Sequence, residues 1–243
     1  MTAIVVRGVG QATKGLVAAL VNPVPESTNS DRLVNQKQFK VGLRARYMCI
    51  HPSDPSLTKC MVLGVYLKTE HVIASHLVSL RDRNVTPLLG FSSIWDLKNG
   101  ILVHSSIDIL YGNLEVAFVP NMVNHTIQLR VLYDGLLNHE LQKPSILKTA
   151  IGIAEAGNVT YGDINLLCLK LPSLVSPFRR ALLRQAKSAY DMMADSSKPH
   201  SVGAQTAPTE EEWVSLFEQC GRESACGDCT YFENVLAPGT FEE

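Results

Sequence analysis

The most regular alternation in the chain runs over Thr126–Leu132. Ile127, Leu129 and Val131 share one face, and Gln128 and Arg130 share the other, which predicts a half-buried strand. Leu114–Val119, just upstream, reads as its partner. Earlier in the chain, Met61–Leu67 and His71–His76 are rich in Val, Ile, Leu and Tyr and read as two short strands. Asn99-Gly100 is a turn signal ahead of the apolar Ile101–Val103. Ser105 and Ser106 are then candidate caps for a short helix beginning near Ile107.

The long helical pattern lies further on. Ser176-Pro177 supplies a capping hydroxyl followed by proline at the first helical position. From there to about Ala194, Phe178, Leu182, Ala186, Tyr190 and Met193 form one apolar stripe, with Arg179, Arg184 and Lys187 elsewhere on the helix. Glu210–Gln219 predicts a short acidic helix. Residues 2–6 suggest a strand, and Gly15–Val21 a second apolar stretch of either type. Phe39–Tyr47 is basic and alternates irregularly, so it predicts no element. Loops or linkers are expected at 23–31, 51–56 and 196–208, where Pro, Ser, Asn and Gly collect, and a loop or short helix at 80–93. The elements together predict an α+β fold. Its expected organisation is an N-terminal segment 1–40, a main domain 41–195 and a mobile, cysteine-containing acidic tail 196–243.

Composition narrows this picture little. In 243 residues, 46% hydrophobic and 19% charged positions call for a folded core and exclude global disorder. The net charge of −1 gives no overall attraction to polyanions. Its distribution says more. Gln36–Ile107 holds nine Lys or Arg against four acids, or +5, whereas Thr209 onward holds nine acids against Arg222, or −8. A basic middle suits a polyanionic partner. No apolar run reaches the roughly 18 residues of a membrane span. Gly8, Gly10 and Gly15 spoil Met1–Val24 as a signal peptide. The expected location is therefore intracellular, in cytoplasm or nucleus, without a membrane partner. Six cysteines form no secreted disulfide framework. Cys220, Cys226 and Cys229 have part of a zinc-knuckle spacing but no fourth ligand nearby, so reduced thiols are expected.

Candidate chemistry concentrates between residues 60 and 120. Cys60-Met-Val-Leu-Gly64 leads to Val72-Ile-Ala-Ser-His76-Leu77, then Lys98-Asn99-Gly100-Ile-Leu-Val103, then Ser106-Ile107-Asp108. A histidine ending a strand, an Asn-Gly pair and a carboxylate one helical turn in resemble, in this order, the divergent HNH nucleases of fungi and other eukaryotic microbes. The resemblance extends through Leu114–Val119 and Leu129–Leu132 to Ser176–Arg180, covering about residues 60–190.

It implies a small ββα-metal core with flanking strands and a long C-terminal helix. The implied activity is metal-dependent endonucleolytic hydrolysis of phosphodiester bonds. The alternative is a catalytically inactive module of the same origin that binds nucleic acid or protein. By the resemblance, His76 would act as general base, Asn99 would orient the loop or the histidine, and Asp108 would ligate a divalent ion such as Mg²⁺. His104, close in sequence, is a stand-in ligand. Arg81, Arg83, Lys98, Arg179 and Arg180 are the expected nucleic-acid contacts, with DNA ahead of RNA as partner. Ser75 stands where relatives carry an acidic or histidine ligand, and Tyr111-Gly112 replaces their aromatic-Asp ending.

Overall fold

A computed structural model describes residues 29–79, 93–121, 124–141, 159–172, 175–194 and 208–225. The first element is helix α1, Asn29–Arg46. Asp31 in its first turn and Arg44 and Arg46 in its last complement the helix dipole. Phe39, Leu43 and Tyr47, four residues apart, are buried along one stripe. That stripe is narrow and interleaved with lysine and arginine, which is why the segment carries no obvious period. The helix also crosses the expected boundary at residue 40, and its Phe39 joins the core of the main domain.

Two short strands follow, β1 (Leu57–Lys59) and β2 (Tyr66–Lys68), paired antiparallel with Thr58 opposite Leu67. The strand expected over Met61–Leu67 is therefore largely a turn. Cys60 N–H donates to the Val65 carbonyl at 2.8 Å, and Gly64 adopts a left-handed φ of 75°. Cys60, Met61, Val62 and Leu63 are nevertheless buried. A short apolar run reports burial and not backbone conformation.

Strand β3 (Val72–His76) pairs antiparallel with β4 (Gly100–His104), from Val72 opposite His104 to His76 opposite Gly100. Helix α2 (Ser105–Gly112) leaves β4 directly. Its cap is not a serine: His104 Nδ1 accepts a bond from Ser106 N–H at 3.3 Å. Strands β5 (Val116–Asn121) and β6 (Thr126–Val131) form the second hairpin, and Ile127, Leu129 and Val131 are buried as their alternation requires. Residues 166–169 run along β6, with Leu129 N–H donating to Leu167 O at 2.8 Å.

Single turns α3 (Asp134–Leu137) and α4 (Tyr161–Ile164) precede helix α5 (Arg179–Ala194), and α6 (Glu210–Ala225) is the last described element. A capping box starts α6: Glu212 N–H donates to the Thr209 hydroxyl, and Thr209 N–H donates to the Glu212 carboxylate. Trp213 and Cys220 of α6 join Leu183, Ala186, Tyr190 and Met193 of α5 in a satellite core, so part of the acidic tail packs. The molecule is thus a mixed α+β structure of small antiparallel sheets and helices. Among the described residues, no helix is long and apolar enough to cross a membrane. The segments expected at 2–6, 15–21, 80–92 and 196–207, and Cys226 and Cys229, lie outside the described residues.

Candidate active site in the His76–Asp108 cleft

His76 ends β3, where its partner Gly100 opens β4. Glycine is required here by packing, not by backbone angle, since Gly100 is extended. A Cβ at this position would lie 2.7 Å from Leu43 Cδ1 and closer still to the Phe39 ring. The missing side chain lets α1 approach β4 and places Phe39 flat against the His76 imidazole, with centroids 4.3 Å apart and planes inclined by 13°. Trp95 meets the imidazole edge-on at 5.0 Å. Burial among these rings penalises the charged form and lowers the His76 pKa to about 4. The imidazole is neutral at pH 7. Its Nε2 is buried and has no hydrogen-bond partner among the described residues.

Asn99 is fully buried and works on the backbone. Its Oδ1 accepts from Val78 N–H at 2.9 Å, and its Nδ2 donates to the Ile94 carbonyl at 2.9 Å. Its own carbonyl accepts from Leu77 N–H at 2.9 Å. The residue therefore clamps the chain immediately after His76 to the segment that re-enters at β4. It bonds the loop, not the imidazole.

Asp108 sits in the first turn of α2. Burial raises its carboxyl pKa, and a hydrogen bond from the Ser75 hydroxyl opposes that rise. Ser75 is itself buried. Ser75, the residue that departs from the pattern of the resemblance, thus donates to the Asp108 carboxylate.

His76 and Asp108 line one cleft of about 550 Å³. Ser75, Leu77, Ser79 and Tyr111 line it as well, α5 contributes Arg184, Gln185 and Ser188, and α1 contributes Arg32. Tyr111 is almost fully buried, and burial together with the nearby Asp108 charge holds its phenol well above the ordinary pKa.

Of the sequence candidates, then, His76 and Asp108 share a wall, and Asn99 supports it from beneath. The others are placed elsewhere. His104 is buried with Nδ1 engaged in the α2 cap, so that nitrogen is not offered to a metal. Arg179 is only 7% exposed, with its guanidinium 3.4 Å from His125 Nδ1, and is not among the residues that line the cleft. Lys98 and Arg180 are partly exposed outside the cleft lining. Arg81 and Arg83 lie outside the described residues. The cations that do line the cleft are Arg184, legible only as part of a basic helix surface, and Arg32, in a segment composition marks as near a linker. No pattern within one element announces either one.

Among the described residues, no three His, Cys, Asp or Glu side chains come together as a metal-ligating group. Comparisons with family models, with curated proteins and with solved structures find no match for this chain.

Proposed function

We propose that this cleft is the phosphodiester site of an HNH-type nuclease module. The observation that carries the reading is the convergence of His76 and Asp108, from β3 and α2, on one cleft that Arg32 and Arg184 also line. The strand–strand–helix order of β3, β4 and α2 supports the same reading, as does the clamp that Asn99 places behind His76.

In this reading the guanidinium groups of Arg32 and Arg184 draw the phosphodiester in, since each offers several donors to its oxygens. His76, neutral at pH 7, accepts the proton of the attacking water. An imidazole of such low basicity is a poor base by itself. An anionic phosphate entering beside it favours the imidazolium and raises its basicity at the moment of need. Asn99 holds the strand end and the loop, fixing where the imidazole points.

One carboxylate and a serine hydroxyl make no resident metal cage. Hard oxygen donors of this kind do suit Mg²⁺, which is commonly held by one or two carboxylates plus substrate phosphate oxygens. Asp108 would be the protein ligand, and the ion would supply charge stabilisation at the leaving oxygen. Affinity for Mg²⁺ without substrate is accordingly expected to be weak.

The second reading is an inactive module that binds nucleic acid without cutting it. The occluded Nε2 and lowered basicity of His76 favour it. Plasmid nicking with Mg²⁺ or Mn²⁺ separates the two. Hydrolysis predicts nicking that His76→Ala reduces at least about 100-fold, whereas binding alone predicts salt-sensitive retardation with the plasmid left intact. Absence of both nicking and retardation would end the phosphodiester reading.

A further inference from the structure

Helix α1 turns one stripe into the core and leaves the opposite one in water. Phe39, Leu43 and Tyr47 face inward, whereas Val34, Val41 and Met48 are each more than half exposed. The exposed positions belong together: Val34, Gln38, Val41, Ala45 and Met48 follow each other at steps of four, three, four and three. That is the seam spacing by which one helix packs along another, with Gln38 as the polar position that sets register. A face built for water carries polar and charged residues instead. Met48 sharpens the point. It closes α1 at a left-handed φ of 49°, the seat that glycine usually takes, with its N–H donating to the Ala45 carbonyl at 3.1 Å and the Cys49 N–H donating to the Arg44 carbonyl at 2.8 Å. A methionine there strains the backbone, and it is 68% exposed, so the packing of the described residues does not account for it.

One edge of this stripe is basic. Lys37, Lys40 and Arg44 lie along it at helical spacing, and burial, with the Arg44 charge added, lowers the Lys40 pKa. Arg44 and Lys68 line a hollow of about 500 Å³ at the end of the edge, where the one acid, Glu70, lies 3.5 Å from His71 Nε2. Among the described residues, no carboxylate pairs with Lys37, Lys40 or Arg44. A nucleic-acid backbone would meet these cations and leave the valines in water. A second copy of α1 would cover the valines, yet its only acid, Asp31, sits in the first turn. We infer that the exposed face of α1 docks an amphipathic helix of a partner protein, apolar at its seam and acidic along the edge that meets Lys37 and Arg44. The apolar seam supplies burial, and the charged edge selects the partner and its orientation. Arg32, the α1 residue in the cleft, lies about half a turn round the helix from Val41, so the proposal is independent of the phosphodiester reading.

The test is binding of the full chain to a labelled peptide of about four heptads, with leucine at the a and d positions and glutamate at e and g. Its counterpart with lysine at e and g is the control. The acidic peptide is expected to bind about tenfold tighter than the lysine peptide, as charge complementarity along one edge requires. Val41→Asp should weaken the acidic peptide at least about tenfold, the worth of burying one valine. Lys37→Glu should narrow the preference between the two peptides. Both positions are exposed, and an unchanged thermal melt reports that the variants are folded. A photo-crosslinking benzoyl-phenylalanine in place of Val41 should join the chain to the acidic peptide. Failure of the acidic peptide to bind, equal binding of the lysine peptide, or full affinity in Val41→Asp would overturn the proposal. So would crosslinks within the chain or to a second copy that the acidic peptide does not displace, since they would give the stripe to another occupant.

Discussion

The two hairpins of this protein are built on opposite terms. In β5–β6, strand β6 alternates buried and half-exposed residues along its whole length, and its apolar face meets the core as a half-buried strand should. In β3–β4, all five residues of β4 are buried, because α1 closes on it at Gly100 and the Cys60–Leu63 turn bonds to Leu102. The regular hairpin holds the fold; the covered hairpin holds the polar groups. Ser75, Asn99 and His104 are buried there, each committed to a hydrogen bond that shapes the cleft or its supporting helix. A site of low dielectric needs such coverage, and polar groups placed in it must find partners within the protein or in a ligand.

The largest effect that sharpens this contrast is expected in the regular hairpin. Leu129→Ala should cost about 3 kcal/mol of stability by leaving a cavity. Nucleic-acid affinity per folded molecule should stay unchanged when measured below the melting transition. Asn99→Ala should cost somewhat less, about 2 kcal/mol, by stripping partners from the buried Val78 N–H and Ile94 carbonyl. In this case affinity should fall even in the folded fraction, because the chain after His76 is no longer clamped. A stability loss with intact binding would make the covered hairpin as purely structural as the other.

Arg184→Ala should weaken binding of any strand about fivefold and make the salt dependence shallower by about one phosphate contact. Arg180→Ala, outside the cleft lining, serves as the control and should change neither.

The smallest effect is on acid stability. The His76 pKa is lowered from its ordinary 6.5 to about 4, so the unfolded chain takes up this proton first as pH falls. The residue's contribution to stability is whole above about 6.5 and is lost as pH drops toward about 4. Denaturant unfolding across that window should show a slope that His76→Phe flattens. An unchanged slope would mean that the imidazole is not shielded by Phe39 and Trp95.

Much of this organisation is legible in residue order. The strand at Thr126–Val131, the strand ending at His76 and the helix ending at Ala194 follow from the pattern of apolar residues, although that helix starts at Arg179, two residues after the Pro177 that the capping signal marks, and the Ser176 hydroxyl donates to the Pro177 carbonyl. Asn99-Gly100 marks a special position, but its reason differs from a turn: the amide clamps a loop, and the glycine makes room for Phe39. Helix α1 escapes notice because its buried stripe is a single residue wide at each turn. The turn at 60–65 reads as strand because buried turns and buried strands share a composition. His104 and Arg179 look available for chemistry on charge and proximity alone, while burial commits them to the α2 cap and to His125.

What the sequence determines by itself is local: which faces are apolar, where helices start, and that a histidine, an asparagine and an aspartate stand in a suggestive order. Each depends on neighbours within a few residues, where propensity and periodicity act. Which cations reach the cleft, which polar atoms are left without partners, and how basic His76 is were decided only by tertiary structure. Those properties depend on groups tens of residues apart, Arg32 on α1, Phe39 against the imidazole and Gln185 on α5, brought to one cleft by packing that no one segment encodes.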